Sequence, residues 1–263
     1  MIERIKDDYT KYYDLGKVIG NGGFGIVYEG MEKKTKELRA IKVINLNKIE
    51  KAYIESQISK PLDKEINDLK NEFEIMKKFS GYENSVKGYE YFLNQNNFVI
   101  IMELCDKSLE DWLFDKYKQN ERKRGFNNEE IYKILIQLNK IFKAMEENQI
   151  VHRDLKPENI LVKFIDDKNF LIKLSDYVCS KRLEIFSSKK MITTQGVGTI
   201  LYMVPEIINK EEYNFKCDLW SLGIIIYRLY FFNSPFIGII PTAIINNLKS
   251  FNVNLLKKQM TKI

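Results

Sequence analysis

Between residues 128 and 174 the hydrophobic period of the chain changes twice, and few folds accommodate that order. Ile131, Leu135, Leu138, Phe142 and Met145 recur at helical spacing, which predicts an amphipathic helix over 128–147 capped by Asn127 or Asn128. A polar stretch follows: His152-Arg153-Asp154-Leu155-Lys156-Pro157-Glu158-Asn159. Pro157 prevents it from continuing as a helix, so its acid, base and amide sit on a loop. Two short apolar runs, 160–164 and 170–174, then predict a hairpin around the solvated turn Asp166-Asp167-Lys168-Asn169. By chemistry alone, Asp154 can accept a hydroxyl proton, Lys156 can neutralise phosphate charge, and Asn159 can hold a metal through its amide oxygen. The plainer reading of the loop is a polar surface turn.

Upstream, residues 1–13 are polar and tyrosine-rich and read as a short lead-in. Val18 to Tyr28 then contains a Gly-x-Gly-x-x-Gly, Gly20-Asn21-Gly22-Gly23-Phe24-Gly25. That pattern alone is shared with dinucleotide-binding folds. Its flanks decide: Ile26, Val27 and Tyr28 are β-formers, so the segment reads as strand, turn, strand, with backbone amides open to phosphate. Ala40-Ile41-Lys42-Val43-Ile44 reads as a buried strand interrupted by one lysine, and a lysine there needs a partner. Residues 45–80 are charged with helical spacing, and Glu72, Met76 and Phe79 share one face. Glu72 is the best-placed partner for Lys42, ahead of Glu74 and Glu65. Residues 86–93 and 98–102 read as alternating apolar and polar, with Asn94-Gln95-Asn96-Asn97 as the turn between them, and predict a second hairpin ending in Met102-Glu103-Leu104-Cys105. Asp106 or Ser108 caps the helix that follows.

Taken in order, these stretches resemble the eukaryotic protein kinases of the Ser/Thr type. Ser175-Asp176-Tyr177-Val178, Gly198-Thr199…Val204-Pro205-Glu206 and Cys217-Asp218-Leu219-Trp220-Ser221-Leu222-Gly223 extend the resemblance over roughly 15–237. Lys156 within Leu-Lys-Pro-Glu-Asn favours Ser/Thr over Tyr acceptors. The resemblance implies an α+β, two-lobed protein kinase fold. Its small lobe, an antiparallel sheet plus one long helix, covers about 1–103; the hinge is 103–107 and the larger, mainly helical lobe 108–263, with ATP and Mg2+ between the lobes. Implied catalytic residues are Asp154, Lys156, Lys42 and Glu72; the Lys42-to-Glu72 separation is longer than usual in the family, which implies an additional helical segment near 48–60. Implied nucleotide-binding residues are Ile19, Gly20, Asn21, Gly22, Gly23, Phe24, Gly25, Val27, Ala40, Lys42, Met102, Glu103, Cys105 and Leu161. Met102 is the gatekeeper, the backbone of Glu103 and Cys105 bonds adenine, and Leu161 floors the pocket opposite Ile19, Val27 and Ala40. Asn159 and Asp176 hold the metal. His152 is structural, and Asp218 ties down the loop backbone. The implied partner is a protein substrate with a Ser/Thr acceptor. Small-molecule kinases are disfavoured by the Val-Pro-Glu segment.

Three departures matter. Tyr177 for Phe is mild, whereas Val178 for Gly puts a β-branched residue where the family has backbone freedom. Val178 and the short C-terminus are the arguments for the rival reading, a pseudokinase that holds nucleotide without turnover. Third, Glu206 in the family pairs with a late arginine, and Arg228 is the only arginine after it, at the wrong place. The chain therefore reads as a shortened domain, with an apolar opening at Phe236, Ile237, Ile239 and Ile240 that implies self-association or a covering partner. A dry, charged Glu206 would cost a few kcal/mol. The resemblance makes Arg153 an uncompensated positive charge near the activation segment, so a phosphate on Thr194 or Thr193 could pair with it and order that segment, a phosphorylation switch, while Thr199 matches the family's docking threonine.

The 42 Lys+Arg against 36 Asp+Glu leave a net charge of +6, too weak to argue for nucleic acid. Cys105, Cys179 and Cys217 show no paired spacing and read as reduced thiols of an intracellular, cytoplasmic protein. Met1 to Lys11 has no apolar core of a signal peptide. The longest apolar run, 219–232, carries Ser221 and Arg228 and is short for a bilayer, so it reads as a buried helix, not a transmembrane segment.

Overall fold

The computed structural model describes residues 4–5, 8–22, 25–55, 61–119, 125–177, 181–182, 200–209, 214 and 216–236. Expectations for Gly23, Phe24, Val178, Cys179, Thr193, Thr194, Thr199 and 237–263 lie outside them. The chain divides into two compact units, one of residues 1–106 and 161–178, the other of 107–160 and 179–263.

The first unit contains β1 (Arg4–Ile5), β2 (Tyr13–Asn21), β3 (Gly25–Glu32), β4 (Leu38–Asn45), α1 (Leu46–Glu55), α2 (Leu62–Phe79), β5 (Gly88–Leu93) and β6 (Asn97–Met102). The strands form one six-stranded sheet in the order β1-β5-β6-β4-β3-β2. All its pairings are antiparallel except β1 on β5. The inserted helix starts earlier than 48 and is seen to Glu55. Phe73 of α2 meets Tyr91 edge-on at 5.1 Å, and Tyr91 stacks on Phe98 at 5.0 Å. Phe92, next to Tyr91, points the opposite way because strand side chains alternate.

That opposite face corrects the reading of residues 1–13. They are no mere lead-in. Arg4–Ile5 adds a strand, Asp8 caps a short 3-10 helix at Tyr9–Lys11, and Tyr13, Ile41, Phe92, Val99 and Ile101 form a core with Tyr9 and Tyr12 packed against it. Tyr9, Tyr12 and Tyr13 all contact the Phe92 ring. With both sheet faces covered, β6 is a continuous buried run, not an alternating one. Phe92 is 0% exposed, so Phe92→Ala is expected to destabilise the chain by about 3–5 kcal/mol, read as a lowered midpoint in urea unfolding.

The second unit contains β7 (Lys107–Ser108), α3 (Leu109–Gln119), α4 (Asn128–Glu147), β8 (Ile150–Val151), a 3-10 turn at Pro157–Asn159, β11 (Lys181–Arg182), α5 (Pro205–Asn209) and α6 (Lys216–Phe231). The hairpin of β9 (Ile160–Phe164) and β10 (Phe170–Leu174) lies between β8 and β11 in the chain; from Leu161 it belongs to the first unit. Ser108 Oγ accepts from Asp111 N at 3.1 Å and caps α3. Asn127 caps α4 in a reciprocal capping box with Glu130. α6 is apolar almost all round, as a helix packed on several sides must be. Gly125 backs directly onto it: a Cβ there would lie 1.8 Å from Leu229 O, which only glycine avoids. Trp220 stacks on Phe236 at 6.0 Å, so the apolar opening at Phe236 covers part of this helix. No helix among the described residues is long and apolar enough to cross a membrane.

Candidate active site

In the first unit, β2 and β3 flank the glycine turn, with Gly20 opposite Val27, Asn21 opposite Ile26, and Gly22 N donating to Gly25 O at 2.8 Å. No described glycine has a positive φ, so space explains Gly25: a Cβ there would sit 3.0 Å from Val43 O. Ile19 is exposed, Val27 and Leu161 half-buried, and Ala40 buried. Ala40 and Lys42 pair across the sheet with Met102 and Ile100.

Lys42 Nζ lies 3.2 Å from Glu72 Oε1 and 3.1 Å from Asp176 Oδ1. Glu74 is exposed, and Glu65 accepts instead from the Tyr53 hydroxyl at 2.6 Å, tying α1 to α2. Burial alone would lower the Lys42 pKa, but Asp176 and Glu72 outweigh it and raise it. Glu72 is also raised, from 4.5 to about 7, by burial first, against the pull of Lys42. The two directions agree once Asp176 is counted: two carboxylates share one cation, and the more buried one takes up a proton more readily.

Stability and pairing at Glu72 therefore run in opposite senses. The folded state holds this proton more tightly than the unfolded chain, so the stabilisation is complete below pH 4.5 and lost as pH rises through about 7. The charged Lys42–Glu72 pair forms over that same rise. Thermal melts from pH 5 to 8 should show wild type losing stability relative to Glu72→Gln as pH increases; parallel curves would contradict this.

At the hinge, Glu103 N donates to Lys87 O at 2.8 Å, which leaves its carbonyl as the backbone group to which the expected adenine contact would fall. Its carboxylate lies 3.2 Å from Lys163 Nζ and 3.0 Å from Lys173 Nζ. Burial would raise it, but the two lysines hold it below the usual range. Burial pushes the half-buried Cys105 thiol up to about 12, which leaves it a poor nucleophile. Lys173 escaped the sequence reading, although its setting, a lone lysine in the apolar run Phe-Leu-Ile-Lys-Leu, repeats that of Lys42. It is 3% exposed and also donates to Glu83 O at 2.8 Å.

In the second unit, α4 and β8 lead into the polar loop. His152, fully buried, and Arg153 donate their backbone N–H groups to Asp218 Oδ2 and Oδ1, each at 2.8 Å. Burial pushes the Asp218 carboxyl up, against the pull of His152 and Arg153. The Arg153 charge acts on Asp218 as an electrostatic neighbour. The φ of Arg153 is 68°, and the two hydrogen bonds to Asp218 hold the backbone N–H of that strained residue and of the one before it. Asp154 Oδ2 receives Lys156 Nζ at 2.7 Å and Asn159 Nδ2 at 3.0 Å; the same Nδ2 donates to Asp154 O at 2.8 Å. Asp154 Oδ1 is buried with no hydrogen-bond partner. One carboxylate oxygen is thus locked and the other can accept a proton. Tyr202 to Val204 are buried, and Ser221 Oγ donates to Tyr202 O at 2.8 Å. Glu206 is exposed, which removes the expected penalty for a dry charge. Arg228 instead forks onto Glu110, with Nε 3.1 Å from Oε2 and Nη2 on Oε1.

A family model described as protein kinase domain matches residues 13–262. The chain is 32% identical over 234 residues to serine/threonine-protein kinase 33 of Mus musculus, across 87% of this chain and 43% of that protein. It is 35% identical over 235 residues to calcium-dependent protein kinase 5 of Plasmodium berghei (strain Anka), across 88% and 37%. To serine/threonine-protein kinase atg1 of Dictyostelium discoideum it is 34% identical over 220 residues, across 82% and 30%. The chain spans less than half the length of each of these relatives.

Proposed function

Since the chain belongs to the protein kinase family and is of its serine/threonine type, we propose that it transfers the γ-phosphoryl group of ATP to serine and threonine hydroxyls of protein substrates, with Mg2+ as the metal. The observation that carries this reading is the Lys42 ammonium held between Glu72 and Asp176 at 3.2 and 3.1 Å. A half-buried cation aimed by two carboxylates keeps its charge at neutral pH and meets phosphate oxygens without reorganising. Lys42 then takes the α- and β-phosphates. The glycine turn, Val27, Ala40, Met102, Glu103, Cys105 and Leu161 surround the rest of the nucleotide.

The donors suit Mg2+. No cluster of three or more His, Cys, Asp or Glu able to hold a metal occurs among the described residues. Mg2+ asks for less: one or two protein carboxylates, completed by phosphate and water oxygens. Asp176, whose side chain is 33% exposed, supplies a carboxylate, and Asn159, oriented by its two bonds to Asp154, supplies an amide oxygen. When bound, the metal neutralises charge on the β- and γ-phosphate oxygens. Asp154 Oδ1 takes the acceptor hydroxyl's proton as that oxygen bonds to the γ-phosphorus. The bond from the γ-phosphorus to the bridging oxygen breaks, and ADP leaves. Lys156 holds Asp154 in place and neutralises the group in transfer.

The test is a radiolabelled ATP assay on the purified chain with a generic protein substrate, beside thermal melts with ATP and Mg2+. Label transfer with a raised melting temperature supports the reading; a ligand at 100 times its Kd stabilises by about 2.7 kcal/mol. A raised melting temperature without transfer would make the chain a nucleotide-binding module. The absence of both effects would overturn the proposal.

A further inference from the structure

Two hydroxyls that phosphoryl transfer does not use lie together beneath Asp176. Tyr177, the next residue, is 0% exposed, and its Oη is 2.8 Å from Ser85 Oγ, which is also 0% exposed. The Tyr177 ring stacks on Phe79, the last residue of the helix that carries Glu72, with centroids 5.8 Å apart and planes at 21°. Ser85 itself sits on a fixed platform. Its N–H donates to Tyr82 O at 3.1 Å, and the next N–H, of Val86, donates to Leu174 O at 2.9 Å. Asn84 Nδ2 donates to Ile172 O at 2.9 Å, and the buried Lys173 Nζ reaches Glu83 O and Ser85 O at 2.8 and 3.4 Å.

Asp176, by contrast, needs holding. Its φ of 61° lies in the left-handed region, which a residue with a side chain keeps only when its neighbours impose it. A phenylalanine at 177 would be anchored by packing alone. A tyrosine brings a hydroxyl to a fully buried place, where a missing hydrogen bond is penalised and a present one fixes the ring. We propose that Ser85 is a positioning residue: through its hydrogen bond to Tyr177 it holds Asp176 where the carboxylate meets Lys42. On the reading above, which this inference deepens, that is also where Asp176 meets Mg2+.

Lys42 reports on this without any turnover. Competitive labelling of its amine with acetic anhydride, followed by mass spectrometry across pH, reads its pKa; each unit by which it falls raises the reactive fraction about tenfold. Glu72→Gln removes the other carboxylate and calibrates the response. Ser85→Ala should raise Lys42 reactivity several-fold at fixed pH. Tyr177→Phe should raise it less, since no buried phenol then lacks its Ser85 partner. The double variant Ser85→Ala/Tyr177→Phe should return toward Tyr177→Phe, a non-additivity that a direct contact requires. In parallel, the Mg2+ concentration for half-maximal ATP-dependent stabilisation should rise in Ser85→Ala. A lowered melting temperature with unchanged Lys42 reactivity in both single variants would mean a merely structural hydrogen bond and would overturn the proposal. If Ser85→Ala does not fold, Tyr177→Phe removes the same bond and decides alone. Absence of turnover in wild type would count against the kinase activity while leaving the labelling result valid.

Discussion

Asp154→Asn is expected to lower phosphoryl transfer by about 10²–10⁴-fold, the usual contribution of a positioned general base, while leaving the stabilisation by ATP and Mg2+ in place. Oδ2 is already engaged by two donors, Lys156 Nζ at 2.7 Å and Asn159 Nδ2 at 3.0 Å. An asparagine must turn its amide oxygen toward those donors. Its NH2 group then stands where Oδ1 was and presents a donor to a hydroxyl that needs an acceptor. Nothing in Lys42, Glu72 or Asp176 changes, so nucleotide affinity should not fall with turnover. Turnover within tenfold of wild type would show that Asp154 is not the proton acceptor.

Lys42→Met should have the largest combined effect, on both stability and rate. Methionine matches the length of the lysine stem but strands the Glu72 carboxylate, whose Oε2 already has no hydrogen-bond partner. Removing one partner of a buried ion pair typically costs about 3–5 kcal/mol. Glu72, raised to about 7 even with Lys42 present, can escape part of that by taking a proton, so the lower figure is expected. For a chain of this size about 3 kcal/mol corresponds to roughly 6–12 °C in melting temperature. Turnover should fall by at least about 10²-fold with the phosphate contact gone. Adding Glu72→Gln to Lys42→Met should restore part of the melting temperature, because a neutral amide replaces the stranded acid. Equal melting of Lys42→Met and wild type would mean that the pair does not hold α2 to β4.

Period and local chemistry made much of the fold legible. Ile131 to Met145 repeat at helical spacing and Asn127 stands three residues before Glu130, so the chain alone carried the helix and its cap. Lys42 was legible because a single charge in an apolar strand demands a counterion, and Glu72 because it shares a helix face with Met76 and Phe79. Lys173 carried the same local signal, but its partner Glu103 lies just past the end of β6, and no spacing connects them. The tyrosines of residues 9–13 have no period, so nothing local marked them as the cover of Phe92. Arg228 was correctly excluded as a mate for Glu206, yet its true mate, Glu110, is more than a hundred residues away in the chain.

Tyr177 shows where the division falls. The sequence by itself determined the strand, turn and helix order, the loop that carries Asp154, Lys156 and Asn159, and the family to which the motifs belong, because these rest on periods and neighbours along the chain. Only the tertiary structure decided that Tyr177 meets Ser85, 92 residues earlier, and that Asp218 accepts the backbone of His152 and Arg153 from more than sixty residues away. Hydrogen bonds and ion pairs act over about 3 Å whatever the separation in sequence, so which groups they join is set by packing.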